Sequence, residues 1–244
     1  MPPLIQTLLS PEWLAKISRE VHKTSCEKGW WGENAVPETT KIHKREFGEI
    51  LILATSELTE ALEVYRDGTD LKKTYWSKTT KSQDEIVTKL SDTPVNGWKP
   101  EGFPIEIADF IIRNIETMAA AGTDVEGAFN YAMLSHEFEK AQKRAQGLAV
   151  ETVNNVPFAL ARINYWIARA EERYRTKTLL KKPVSFVLII EDDNGTEGIT
   201  FFLASAVNLA ILLCEALNID IEKAILMKME YNSTRPYKHG GKLA

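Results

Sequence analysis

Four carboxylates are spaced for chemistry. The segment EILILATSELTEALEVYRDG (49–68) carries Glu57 and Glu60 three positions apart, and PIEIADFIIRNIE (104–116) carries Glu106 and Asp109 at the same spacing. On a helix, residues three apart share a face. At about 100° per residue, Ile50 and Val64 fall about 20° either side of Glu57, Leu53 and Ala61 about 40° away, and Glu60 about 60° away. Glu57 therefore stands in the middle of an apolar stripe. An ionised carboxylate buried there without a partner is costly, so it needs a cation, a hydrogen-bond network or a raised pKa. Beside Glu106 and Asp109 lie Phe110, Arg113 and Thr117, and the opposite face holds Ile107, Ala108, Ile111, Ile115, Met118 and Ala119. Taken alone, that second pair reads as a solvated face sooner than as a ligand pair. Two such pairs on facing helices would set four oxygen ligands around one or two hard cations. Magnesium suits that cage, because it takes a few carboxylates and keeps positions for water and phosphate oxygens.

The elements that must position these acids are helical nearly throughout, so the expected fold class is all-α. Ser10-Pro11-Glu12 is a helix start, with Trp13, Leu14, Ile17 and Val21 recurring behind it until Gly29. Further helices are expected over about 44–66, from Pro104 to Gly122, from Thr123 to near Gly147, over 156–176, over 200–217 and over 220–232. Residues 67–103 are polar, with Pro94, Gly97, Pro100 and Gly102, and read as a long loop holding one short helix near Asp84–Leu90. Val184–Glu191 (VSFVLIIE) reads as a short strand.

Composition narrows the function class. The 244 residues carry 30 Lys+Arg and 34 Asp+Glu, a net charge of −4, which does not suit a sequence-independent binder of nucleic acid. Two cysteines, Cys26 and Cys214, make neither a disulfide framework nor a four-ligand zinc site, and read as buried free thiols. The N-terminus has no basic, apolar leader pattern, and the apolar run FFLASAVNLAILLCEAL is too short and too polar to span a bilayer comfortably. A cytoplasmic protein without membrane contact is expected. The run 200–217 is to be buried either inside the chain or in a homodimer interface. There is no GxxxxGK[ST] and no GxSxG.

The chain also resembles itself. Residues 106–133 laid on 202–229 share seven identities in 28 positions, including the run Ala120, Asp124, Glu126, Ala128 against Ala216, Asp220, Glu222, Ala224. A diverged tandem duplication is one reading, with residues 1–150 and 151–244 as its halves in one compact unit. A single domain with a long insertion is the other.

The acids and their surroundings resemble the MazG-like all-α nucleoside triphosphate pyrophosphohydrolases. The likeness rests on CEKGWWGE (26–33), SELTEALEVYRDG (56–68), KPEGFPIEIADFIIR (99–113) and LNIDIEKAILMKMEYNSTRPYKHGGK (217–242), and the stretches these span, 26–113 and 217–242, take in roughly half the chain. It implies a helical bundle in which Glu57, Glu60, Glu106 and Asp109 hold Mg²⁺, or Mn²⁺ in its place, and are the catalytic acids. The implied reaction converts a nucleoside triphosphate, with deoxynucleotides the expected substrates, to monophosphate and pyrophosphate. The chain departs from the family in the extra stretch of some hundred residues between Asp109 and its basic tail. If the halves are copies, the first keeps the acids but places His136, Glu139 and Lys143 where Asn232, Arg235 and His239 stand. The second keeps the tail but places Trp166, Arg169, Phe202 and Ser205 where the four acids stand. The resulting expectation is a fused pseudo-dimer with one composite site.

Other residues are assigned with both roles in view. Arg113 either reaches a phosphate or pairs with Asp109 one turn away. Arg235, Lys238, His239 and Lys242, with Gly240-Gly241, form a basic segment suited to polyphosphate. Asn232 either bonds sugar or base or caps its helix. Of Trp30 and Trp31, one is expected to stack on the base and the other to pack on the core. Two alternatives stand beside the hydrolase: a catalytically degenerate nucleotide-binding or interaction module, and a hydrolase of another phosphoanhydride such as dUTP or phosphoribosyl-ATP.

Overall fold

The computed structural model describes residues 9–32, 35–37, 47–79, 86–91, 93, 95–134, 155–179 and 198–238. Seven helices and three short strands follow one another among them: α1 (Pro11–Glu27), α2 (Phe47–Arg66), β1 (Tyr75–Thr79), β2 (Ile86–Leu90), β3 (Lys99–Glu101), α3 (Phe103–Ala120), α4 (Val125–Leu134), α5 (Val156–Leu179), α6 (Ile199–Ala216) and α7 (Ile221–Thr234). The fold is mostly helical, as the periodicity requires. Ser10 caps α1, its hydroxyl accepting from the Trp13 amide at 3.1 Å.

The segment 67–103 is not a loop. Its strands form a three-stranded antiparallel sheet in the order β2-β1-β3, with Tyr75 opposite both Leu90 and Glu101. The short helix expected near Asp84–Leu90 is strand β2. Ile86, Val87 and Thr88 are β-branched and favour extended backbone, and β1 supplies the partner that a single-strand reading cannot foresee. The strand expected over 184–191 and the stretch of the fourth helix beyond Leu134 lie outside the described residues.

Helix α3 is the axis of the molecule. It packs against α1, α2, α6 and α7, so the polar front expected for it is not solvated: Asn114 and Thr117 are buried along with Glu106. Asn114 and Thr117 settle their donors on the carbonyls of Phe110 and Arg113, one turn back, both at 2.7 Å. Helix α6 is apolar enough to cross a membrane by composition, but most of it is buried inside the chain, where α3, α4 and α5 cover it. Each fully buried Leu, Ile, Val or Phe there contributes about 1.5–3 kcal/mol.

Three helices of residues 1–150 have counterparts at matching spacing among the described residues of 151–244, while α1 and the sheet have none. Helices α3 and α6 begin and end 96 positions apart, as do the starts of α4 and α7, and α2 and α5 start 109 apart. The α3–α4 junction turns at Gly122 (φ 71°) and the α6–α7 junction at Asn218 (φ 54°). Each turn is closed by the same bonds: Thr123 N–H to the Met118 carbonyl (3.2 Å) and Ile219 N–H to the Cys214 carbonyl (2.8 Å). Asp124 and Asp220 then cap the next helix by accepting from the Gly127 and Lys223 amides, both at 3.0 Å. Packing crosses between the halves. Helix α7 lies on α3 and α4 lies on α6, α3 meets α6, and α2 meets α5.

Candidate active site

Glu57 is buried at 4% exposure, as its place in the apolar stripe demands, and Glu106 is buried equally. Glu60 is exposed, one turn along α2. One ligand oxygen from each of Glu57, Glu60 and Glu106 lies within 4.8 Å of the others, a separation that one divalent ion can bridge. Asp109 faces the same cavity but stands outside that trio. Its Oδ2 accepts from Lys228 Nζ at 2.6 Å. The residue types and their convergence fit a hard cation, with three carboxylates as ligands and Asp109 next to them.

Two of the acids already have counter-charges. Arg113 Nε donates to Glu57 Oε1 at 2.7 Å across the α2–α3 interface, so its partner is Glu57 rather than Asp109 one turn away. Lys228 comes from α7 and is itself buried at 2%. Removing one partner of such a pair would strand a buried charge. Burial raises the pKa of Glu57, opposed by Arg113. Burial pushes Glu106 up to about 8; Lys228 draws it back, and Asp109 and Glu60 push it further. Burial disfavours the charge on Arg113, but Glu57, Asp109 and Glu116 more than restore it and hold its pKa above the ordinary value. Glu106 is thus a carboxyl that keeps its proton near neutrality until a cation replaces it.

The acids open onto a cavity of about 380 Å³. Helices α2 and α3 form its floor, from Glu60, Glu106 and Asp109 to Glu49, Leu53, Ile112 and Glu116. Val21, Thr24, Ser25, Lys28 and Trp30 from α1 and its following turn line one wall, and Lys228, Met229, Asn232 and Arg235 from α7 line the other. Lys99 on β3 completes the lining. The two walls are tied together. Lys28 Nζ donates to the Arg235 carbonyl at 2.7 Å, and the Lys238 amide donates to the Lys28 carbonyl at 2.8 Å. The Tyr237 ring lies so close to Gly29 (φ 81°) that a Cβ there would collide with it. Burial lowers the Arg235 pKa, while its guanidinium lies over an aromatic face, 5.6 Å from the Tyr231 ring centre.

The expected residues thus divide. Glu57, Glu60, Glu106, Asp109, Arg113, Asn232, Arg235 and Trp30 come together in one cavity. Trp31 does not. It is buried at 2%, its Nε1 donates to Glu116 Oε1 at 2.8 Å, and it meets His22 edge-on, so it packs and orients Glu116 instead of facing the cavity. Lys238 contributes its backbone to the tie and does not line the cavity; His239 and Lys242 lie outside the described residues. Lys28, Lys99, Glu49, Glu116 and Lys228 escaped the sequence reasoning. Lys228 carried a usable signal, because it continues the stripe of Ile221, Ala224 and Ile225 as Glu57 does on its own helix. No family model, curated protein or solved structure matches the chain.

Proposed function

We propose that the chain is a divalent-metal-dependent nucleotide pyrophosphohydrolase of the MazG-like kind, acting in the cytoplasm on (d)NTPs to release (d)NMP and pyrophosphate. The observation that carries this reading is the convergence of Glu57, Glu60 and Glu106 in a cavity that also holds five cationic side chains. The lining acids Glu49, Glu57, Glu60, Glu106, Asp109 and Glu116 outnumber Lys28, Lys99, Arg113, Lys228 and Arg235 by one. Such a near-balanced site gains a positive field only with a bound cation, and a polyphosphate needs that field. Mg²⁺ or Mn²⁺ held by the three glutamates supplies it, along with a more acidic water.

The chain's own residues do the rest. Glu57, buried and fixed by Arg113, orients the attacking water and accepts its proton. Lys228 and Arg113 sit where they bear on the phosphates as well as on the acids. Trp30, half-buried in the wall opposite α7, offers a face to the base. The site is composite: acids from the first half, and Lys228, Asn232 and Arg235 from the second. The matching helix bounds, junction bonds and crossed packing support a fused pseudo-dimer.

A panel of deoxy- and ribonucleoside triphosphates incubated with Mg²⁺ tests the proposal, with pyrophosphate as the readout and Glu57→Gln as control. Pyrophosphate from at least one triphosphate, lost in the variant, is the expected result. The bonds from Arg113 and Lys228 to two of the four acids favour one competing reading, a nucleotide-binding module without turnover. Metal-dependent nucleotide binding with no pyrophosphate from any substrate would establish that alternative.

A further inference from the structure

The cations of the cavity are not equivalent. Arg113 and Lys228 are each bonded to a cavity acid, and Lys28 is spent on the Arg235 carbonyl. Lys99 is held differently. Its Nζ donates to Glu101 Oε2 at 2.8 Å, and Glu101 Oε1 in turn accepts from Ser77 Oγ at 2.9 Å. Lys99 and Glu101 are two apart on β3 and so share one face of the sheet, while Ser77 pairs with Lys99 in the β1–β3 register. Neither Glu101 nor Ser77 lines the cavity. The ammonium is therefore fixed from behind, by groups with no part in holding a cation, and its charge acts on Glu106 and Glu60 in front of it.

The connection to the acids is short and rigid. Strand β3 runs straight into α3 through Gly102 (φ 112°), where a Cβ would lie 2.7 Å from the Lys73 carbonyl oxygen. Only glycine fits that approach without strain, and it sets Lys99 at a defined place relative to Glu106 one turn into the helix. This gives the small sheet a purpose in a helical protein: it carries one lysine to the acidic end of the cavity.

We infer that Lys99 is a substrate-binding residue that takes the terminal phosphates of the nucleotide and so distinguishes a triphosphate from a monophosphate. The inference rests on the reading of the cavity as a nucleotide site. An ammonium already oriented by a hydrogen-bonded carboxylate loses little freedom when it meets a phosphate, and such charge-assisted bonds are among the stronger ones.

The test compares wild type with Lys99→Met, Lys99→Arg and Glu101→Gln by calorimetry in Mg²⁺, using inorganic pyrophosphate, a dNTP made non-hydrolysable by an α,β-imido bridge and the matching dNMP. Mn²⁺ is titrated separately without nucleotide. Lys99→Met should lose about 10–100-fold in affinity for pyrophosphate and dNTP while dNMP changes less than about twofold. Lys99→Arg should keep most of the affinity, and Glu101→Gln should fall between. Mn²⁺ should bind Lys99→Met as tightly as wild type or tighter, because a positive charge has left the neighbourhood of Glu60 and Glu106. Unchanged pyrophosphate affinity in Lys99→Met, or an equal loss of dNMP, would overturn the assignment of Lys99 and leave the nucleotide site standing. A wild-type protein that binds none of the three ligands would overturn both.

Discussion

The α2–α3 pair and the α5–α6 pair have one backbone plan and opposite contents. In the first, Glu57, Glu60, Glu106 and Asp109 face a cavity; in the second, Trp166, Arg169, Phe202 and Ser205 hold the corresponding places. Trp166 stacks on Phe202 with ring centres 5.9 Å apart and meets Phe201 edge-on at 5.7 Å, and the Arg169 guanidinium lies 5.5 Å from the Phe202 ring centre. Aromatic bulk fills the space where carboxylates would converge. The crossing helices differ as well: Lys228, which bonds Asp109, stands 96 positions from Ala132. One site spends stability on buried charge and the other recovers it by packing, which shows that helix geometry alone does not make this kind of site. The plug is imperfect, since Trp166 Nε1 and Ser205 Oγ are buried without a hydrogen-bond partner.

The sharpest way to break the comparison is to empty the plug. Trp166→Ala should cost about 3–5 kcal/mol of stability in urea unfolding, with activity per folded molecule unchanged. A stable variant with reduced turnover would mean that the α5–α6 pair, and not only α7 of the second half, takes part in chemistry. On the other side, Glu106→Gln should lower Mg²⁺-dependent pyrophosphate release by about 10²–10³-fold. Its metal-free thermal midpoint at neutral pH should hold, because the wild-type carboxyl keeps its proton there and the amide is equally uncharged. A clear fall in that midpoint would mark Glu106 as structural, like its aromatic counterpart.

The tie between the cavity walls should show a smaller effect. Gly29→Ala forces a left-handed residue costing about 1–2 kcal/mol and pushes the Tyr237 ring from its seat. A raised KM with nearly constant kcat is expected. Equal KM values in steady-state kinetics would mean that the cavity walls keep their places without the Gly29–Tyr237 contact.

The smallest effect is a pH dependence confined to the acidic site. The Glu106 carboxyl holds its proton to about pH 8 in the metal-free fold, against an ordinary value of 4.5. The folded state binds the extra proton between those values. Its contribution to metal-free stability is therefore present at low pH and lost as pH rises through about 8. Metal affinity moves the other way, gaining up to about tenfold per pH unit below 8 as the proton to be displaced becomes easier to remove. Calorimetry of Mn²⁺ at pH 6, 7 and 8 measures it; a flat profile would place the titrating group elsewhere.

Helix bounds, the cap at Ser10, the burial of Glu57 and the paired acids were all legible in the sequence. Each depends on residues within a few turns of one another, where a 3.6-residue period and side-chain size decide the outcome. The sheet over 75–101 was not legible, because strand pairing joins residues whose preference is only expressed next to a partner. Nor could sequence separate Trp30 from Trp31, adjacent residues of one type, one lining the cavity and the other buried against Glu116. Lys99 and Lys228 gained their roles from β3 and α7 arriving at α3. Charges brought together from distant parts of the chain interact according to distance and burial, and those are quantities that only the folded chain possesses.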